Sequence, residues 1–182
     1  MIAGLLLAAG SGSRMGGPKA LVRGQSGRPW VVDSARALAA GGCGEVYVTV
    51  GAQGLTVRQL LRDEGVLVIE VDDWAEGMSR SLRRGLEVVG EGEADSVLVH
   101  LVDLPDVGPN VVERIRRVNG TLARATYDGA PGHPVLIGRE HWPELLSSLS
   151  GDSGAGAYLS SRAVMSIECG DLASGQDVDS SS

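Results

Sequence analysis

Apolar positions along the chain fall into two alternating patterns. Short runs rich in Val, Leu and Ile cover Ile2–Ala8, Glu45–Val50, Val66–Val71, Ser96–Val102, Leu122–Tyr127, Val135–Gly138 and Val164–Glu168. Several are continuous rather than alternating, the pattern of strands covered on both faces. Between them, helical periodicity predicts helices over Pro29–Ala40, Thr56–Asp63, Ser79–Val89, Pro109–Val118 and Arg139–Leu149, with a short one over Ala155–Ser161. Pro29 and Pro109 stand where a first helical turn accepts proline, and Gly41-Gly42 supplies a stop. In Ser79–Val89, Leu82, Leu86 and Val89 make one face, while Arg80, Arg83, Arg84 and Glu87 make a solvated opposite face. Strand–helix alternation at this spacing predicts βαβ units and a doubly wound, mostly parallel sheet. The turn-rich stretch Tyr127–Pro134 reads as a hairpin between two strands.

Length fixes the scale. A chain of 182 residues is expected to form one domain that buries about 70% of its unfolded surface. That domain is expected over residues 1–173, with a polar, disordered tail over 174–182. Phenylalanine is absent and aromatics are 3% of the chain, so the core is aliphatic and a stacking platform for single-stranded nucleic acid is not expected. A net charge of −7 argues against any polyanion as the main partner. Cys43 and Cys169 show neither CxxC spacing nor a disulfide framework. The opening apolar run lacks a basic flank and is far short of the ~20 residues that span a bilayer. The expected location is cytoplasmic, with no membrane partner.

The candidate chemistry starts where the first strand ends. Gly10-Ser-Gly-Ser-Arg-Met-Gly-Gly-Pro-Lys19 carries the chain's only lysine among sixteen basic residues. Glycines let backbone N–H groups approach phosphate oxygens, and Arg14 and Lys19 add positive charge, so the segment suits a triphosphate. It is not a P-loop, because Pro18 stands where glycine must precede the lysine. Nor is it a dinucleotide fingerprint: Met15 occupies the third glycine position, and Glu45–Val50 runs into Gly51-Ala-Gln rather than an acid. Asp103 closes the strand Ser96–Val102, on the edge where the glycine loop leaves the first strand. In an open parallel sheet that edge faces the ligand crevice, and a strand-end carboxylate can ligate Mg²⁺. Asp103 before Leu104-Pro105 also suits a turn or helix cap. Asp72 and Asp73 leave their strand on the same edge, either to touch base or ribose or as an exposed turn. His100, mid-strand, reads as a satisfied core residue, and His141 as a surface residue at a helix start. His133, between Gly132 and Pro134, reads equally as a loop residue and as lining for a substrate. No nucleophilic triad or histidine pair for a metal is evident.

Ordered along the chain, several blocks carry a resemblance. Leu7-Ala-Ala-Gly-x-Gly-x-Arg-Met-Gly-x-Pro-Lys19, Trp74-x-x-Gly-Met-x-x-Ser-Leu82, Gly132-His-Pro-Val135, Gly151-Asp-x-Gly-Ala155 and Asp177-Val-Asp179 are together similar to the MobA-like NTP-transferases. The cytidylyltransferase branch of molybdenum cofactor synthesis fits best. The resemblance implies a three-layer αβα, Rossmann-like fold of the nucleotide-diphospho-sugar transferase type. It implies transfer of CMP from CTP, or of GMP from GTP, to a small phosphorylated acceptor, molybdopterin, with Mg²⁺ as cofactor. It gives Leu7, Ala8, Ala9, Gly10, Gly12, Arg14, Lys19, Asp73 and Ser81 to the nucleotide, with Arg14, Lys19 and Asp103 in catalysis. Asp103 and Asp179 fall to the metal, and His133, Asp152 and Gly154 to the acceptor. Alanine at position 9 accompanies cytidine in this family, and a methyl group there leaves room for the smaller base. Ser81 equally suits a helix-start serine, and Asp152 or Ser153 a helix cap. Relatives continue the last block as Thr-Pro-Glu-Asp, where this chain has Ser180–Ser182. Two other classes share the resemblance. Pro18–Val22 and Pro29-Trp30 are similar to the nicotine blue oxidoreductase subgroup, which implies NAD(P)H and a quinone-like dye. A nucleotide-binding chaperone that hands cofactor to a molybdoenzyme is the third.

Overall fold

The computed structural model describes residues 1–12, 16–151 and 153–178. Its centre is a seven-stranded sheet in the order β3-β2-β1-β4-β6-β5-β7. The strands are β1 (Ile2–Leu7), β2 (Val46–Val50), β3 (Leu67–Glu70), β4 (Ser96–Leu101), β5 (Leu122–Tyr127), β6 (Ala130–Gly138) and β7 (Met165–Glu168). The helices are α1 (Trp30–Ala40), α2 (Gly54–Leu60), α3 (Met78–Gly90), α4 (Pro109–Arg116), α5 (Trp142–Ser148) and α6 (Gly156–Ser160). β1 is parallel to β2 and β4, and β2 to β3; β6 alone runs against its neighbours β4 and β5.

The period of two along β1 divides its side chains between the two faces. Leu6 and Ala8 face α1 and α4, packing with Val31, Leu38, Val112 and Ile115. Ala3, Leu5 and Leu7 face α3 and α5, packing with Leu82, Leu86 and Leu145. Every residue of β2 is buried, as its unbroken apolar run requires. Leu5, Leu6, Leu38, Leu82 and Leu98 are all buried to within 2% of their surface or closer, each contributing ~1.5–3 kcal/mol by area removed from water. The fold is the expected three-layer α/β sandwich, and its aliphatic core is rigid enough to fix the strand ends that build the site.

Three local readings are corrected. The hairpin expected over Tyr127–Pro134 is present, but its turn is only the two residues Asp128-Gly129, with φ of 51° and 79°. Both values suit a tight hairpin that follows strand twist. β6 then begins at Ala130, so Pro131 and Pro134 lie within a strand. A register shift between Arg124 and Thr126 absorbs the surplus residues. Arg139–Leu149 splits into a 3-10 turn over Arg139–His141 and helix α5, because Pro143 sits in the first turn of α5. Arg83 is not simply solvated: it donates to the Leu146 and Leu149 carbonyls at 2.8 and 3.2 Å, tying α3 to the end of α5.

The segment after β7 folds back rather than trailing away. Glu168 accepts from the N–H groups of Asp128, Gly129 and Gly170 and from the Thr126 hydroxyl, clamping the hairpin turn to this segment. Ser174 bonds Asp106 through both its N–H and its hydroxyl. The Val178 N–H donates to the Asp103 carbonyl at 3.0 Å. The expected loose tail from Ser174 is therefore bonded to the body as far as Val178. Among the described residues no helix is long and apolar enough to cross a membrane.

Candidate functional site

The strand ends meet at a cleft of about 410 Å³ on the carboxyl edge of the parallel strands. Its floor is held by main-chain bonds between neighbouring strands. Ala8 N–H donates to the Thr49 carbonyl, Ala52 N–H to the Ala9 carbonyl and Val102 N–H to the Leu7 carbonyl. Residues 7–9 thus leave β1 with their backbone fixed by β2 on one side and β4 on the other. The glycine loop turns sharply from there. Gly12 has φ of +58°, and a Cβ on it would lie 2.0 Å from the Gly17 carbonyl oxygen, so only glycine fits. The Gly17 N–H bonds back to the Gly12 carbonyl at 3.3 Å.

Lys19 opens a 3-10 turn and reaches across the cleft to β4. Its Nζ lies 2.9 Å from Asp103 Oδ2, with the two side chains 16% and 21% exposed. The other oxygen of Asp103, Oδ1, is buried and accepts no hydrogen bond from the described residues. Buried acceptors are nearly always matched, so this carboxylate has a coordination position to offer. A hard cation takes such an oxygen. No group of three His, Cys, Asp or Glu clusters among the described residues. A cation here would therefore complete its shell with water, ligand oxygens or residues outside them.

The opposite wall carries residues to which sequence reasoning assigns no role. Trp74, Met78 and Leu101 line the cleft beside Ser81. Trp74 is seated on Gly51, where a Cβ would come within 2.4 Å of the indole Cγ. The glycine that follows β2 is therefore the floor under a cleft-facing ring. Ser81 is buried in the first turn of α3, a helix that starts from Gly77 with φ of 116°.

Of the expected nucleotide residues, Leu7, Ala9, Gly10, Gly12, Lys19 and Ser81 line this cleft together with Asp103. Two do not. Ala8 turns into the α1-side core, as strand alternation after Leu7 demands. Asp73 is exposed and faces Arg80 at 3.4 Å. Gly154 lies against Met78, its Cβ position 3.1 Å from the sulfur. The neighbouring Gly151 carbonyl accepts the Ser79 N–H. Gly151 and Gly154 thus abut the cleft wall from outside. Arg14, Asp152 and Asp179 lie outside the described residues.

The histidines differ from one another. His100 is wholly buried, as a core residue should be, yet neither ring nitrogen has a partner. Burial, aided by the field of His133, pushes its pKa down to about 3. His133 does not line the cleft. Burial first and the nearby Arg124 guanidinium second push it down to about 4, while Asp103 opposes them. Its carbonyl accepts the Tyr127 hydroxyl at 2.6 Å. His141 bridges Thr121 and Tyr158, so it joins the hairpin side to α6 rather than standing free.

A glycine turn, one lysine and a carboxylate with an unmatched oxygen, facing an aromatic wall, can hold a flat base, a chain of phosphates and a divalent cation. The family model described as "MobA-like NTP transferase domain" matches residues 4–166. The chain is 34% identical to the nicotine blue oxidoreductase of Paenarthrobacter nicotinovorans, over 98% of this chain and 92% of that protein. Among solved structures, Rv0371c from Mycobacterium tuberculosis H37Rv matches with a TM-score of 0.85 at 28% identity, covering 98% of this chain and 92% of that one. A manganese complex of Rv0371c matches with a TM-score of 0.76 at 26% identity, covering 92% and 88%.

Proposed function

The chain belongs to the MobA-like NTP transferase family, and from that premise we propose that its cleft transfers CMP from CTP to a phosphate-bearing acceptor of the molybdopterin class. An acceptor phosphate oxygen attacks the α-phosphorus in line; one P–O bond forms, the bond to the β-phosphate breaks, and pyrophosphate leaves. The nucleophile is already anionic, so no deprotonating base is needed, and positioning with charge neutralisation carries the catalysis. This accords with the shape of the site, which offers charges and N–H groups but no histidine on the cleft wall. The observation that carries the reading is the Lys19–Asp103 pair on the floor of the glycine-loop cleft.

In this reading the Gly10–Gly12 backbone and Lys19 receive the phosphates, and Arg14 is assigned to them by the family resemblance. Trp74 supplies a face for the base, and Ser81 a hydroxyl for its polar edge. Ala9 is 2% exposed and thickens the floor by one methyl group, which favours cytosine over guanine. Mg²⁺ would be held by the free oxygen of Asp103 and by Asp179, whose neighbour Val178 is bonded to the Asp103 carbonyl. When bound, a divalent ion neutralises phosphate charge and orients the leaving group. The manganese complex of Rv0371c supports a divalent ion as part of this reading.

A second reading rests on the curated relative, which is named an oxidoreductase. It would fill the same cleft with NAD(P)H. The end of β2 speaks against it, since Gly51 under Trp74 stands where an acid would hold the ribose hydroxyls. Calorimetric titration with CTP, GTP, NADH and NADPH, each with and without Mg²⁺, separates the two. The transferase reading expects Mg²⁺-dependent CTP binding, and Ala9→Gly should narrow its preference over GTP. Tight NADPH binding indifferent to Mg²⁺, with no CTP binding, would overturn it.

A further inference from the structure

Most arginines of this protein are answered by a partner. Arg36 meets Glu64, Arg114 meets Asp171, and Arg83, Arg116 and Arg139 donate to backbone carbonyls. Arg124 is not. It sits on β5 between Val135 of β6 and Ser166 of β7, half-buried. Among the described residues its one hydrogen bond is long, Nη2 to the Gly132 carbonyl at 3.4 Å, and its buried Nε has no acceptor. It forms no ion pair with any described carboxylate. A half-buried cation left this way costs free energy unless something negative comes to it.

Its surroundings say where such a group would lie. The register shift after Arg124 bows the Gly132-His133 backbone beside it, at the start of β6. Because β6 runs against β4, its beginning lies at the same sheet edge where β4 delivers Asp103. Arg124 reaches the Gly132 carbonyl, which places its guanidinium beside the residue before His133, and the charges of both Arg124 and Asp103 act on the His133 ring. Around pH 7 it is a neutral ring with one N–H to donate, and Arg124 holds the positive charge. A guanidinium fork beside an imidazole donor matches a tetrahedral oxyanion.

We propose that Arg124 and His133 form the anion subsite of the acceptor, binding a phosphate monoester so that one of its oxygens faces the nucleotide. This rests on the transfer reading and specifies its second substrate. The subsite lies outside the cleft proper, on the β6–β5 side of Asp103, whereas the triphosphate is assigned to the β1 side. The two anions would then approach Asp103 from opposite flanks.

The test uses the full chain labelled with ¹⁵N-histidine, titrated with inorganic phosphate, with the His133 ring signals as readout. Phosphate should shift them saturably in the wild type. Arg124→Met should weaken that binding about tenfold or more, the usual effect of losing a charged hydrogen-bonding partner. Arg124→Lys should keep part of it. The Met variant loses an unpaired charge, so it should melt no lower than wild type; the Lys variant provides the comparison if it does. Equal phosphate affinity in wild type and Arg124→Met, or no response at His133, would overturn the subsite. CTP titration of the same samples keeps the two ideas apart. Phosphate at Arg124 without CTP binding would sink the transfer reading alone, and CTP binding with an indifferent His133 would sink the subsite alone.

Discussion

Exchanging Asp103 for Asn keeps the shape of the side chain and removes one charge, and its effect on CTP binding should change sign with the metal. The carboxylate lies 2.9 Å from Lys19 Nζ and faces a site intended for a triphosphate. Without a divalent ion it repels that ligand and occupies the lysine that should attract it. One unit charge at ~6 Å with an effective dielectric of ~20 is worth about 3 kcal/mol, and solvent and salt around a side chain 21% exposed reduce this to ~1 kcal/mol. Metal-free CTP should therefore bind Asp103→Asn about fivefold more tightly than wild type. With Mg²⁺ the order inverts. Wild type gains the ion's bridge, the variant lacks its anionic anchor, and binding should fall about tenfold to a hundredfold. The Asn side chain still accepts from Lys19, so the partly buried pair loses only ~1–2 kcal/mol, a fall in Tm of about 2–8 °C for a chain of this size. Isothermal titration with and without Mg²⁺, beside a melting curve, reads all three numbers. An Asp103→Asn protein that binds metal-free CTP more weakly than wild type, or keeps the full Mg²⁺ gain, refutes the assignment of Asp103.

Two further substitutions probe the surroundings. Gly51→Ala places a methyl group 2.4 Å from Trp74 Cγ, so the indole must leave its seat. Trp30 and Trp142 are buried elsewhere, so a red shift in emission would report Trp74, accompanied by about threefold to tenfold weaker CTP binding and ~1–3 kcal/mol lost stability; unchanged emission and affinity would dismiss Trp74 as the wall of the base site. His100→Leu removes a buried ring whose nitrogens bond nothing, and stability at pH 7 should rise by ~1 kcal/mol. The pKa of His100 is depressed to about 3 from an ordinary value of 6.5, so the unfolded chain takes up the proton first. Wild-type stability is complete above about pH 6.5 and is lost as pH falls toward 3. The Leu variant should show a flatter acid limb in a plot of Tm against pH, and an identical limb would place the acid sensitivity in other groups.

The sequence makes the parallel core legible because burial on both faces leaves unbroken Val- and Leu-rich runs, and β1, β2 and β4 fall within a residue of where those runs lie. The glycine loop, Lys19 and Asp103 are legible for a related reason: each ends or follows an unmistakable strand. What escapes is tertiary. Pro131 and Pro134 argue against a strand, and only the register shift opposite Arg124 lets β6 include them. Ala8 looks like part of the loop motif, but alternation turns it into the core. Trp74 is plain in the sequence, yet its seat on Gly51 joins positions from two separate strand ends. Nothing in the sequence singles out Arg124, because its long bond to Gly132 and its unmatched Nε are visible only once its neighbours are placed. The stretch from Ser174 to Val178 is polar in composition and is held by bonds to Asp106 and Asp103 that composition does not reveal.

The reversal of β6 divides the molecule's labour. Strands arriving at the crevice by their carboxyl ends, β1 to β4, build the half assigned to the nucleotide, while the acceptor's half is assembled from a strand that departs from the same rim. The two halves share the β4–β6 seam and a common core, where Leu5 and Leu7 pack in one cluster with Leu122, Val135 and Ile137. Exchanging residues 122–138 between this chain and a relative should transplant acceptor preference while leaving the choice of nucleotide where it was.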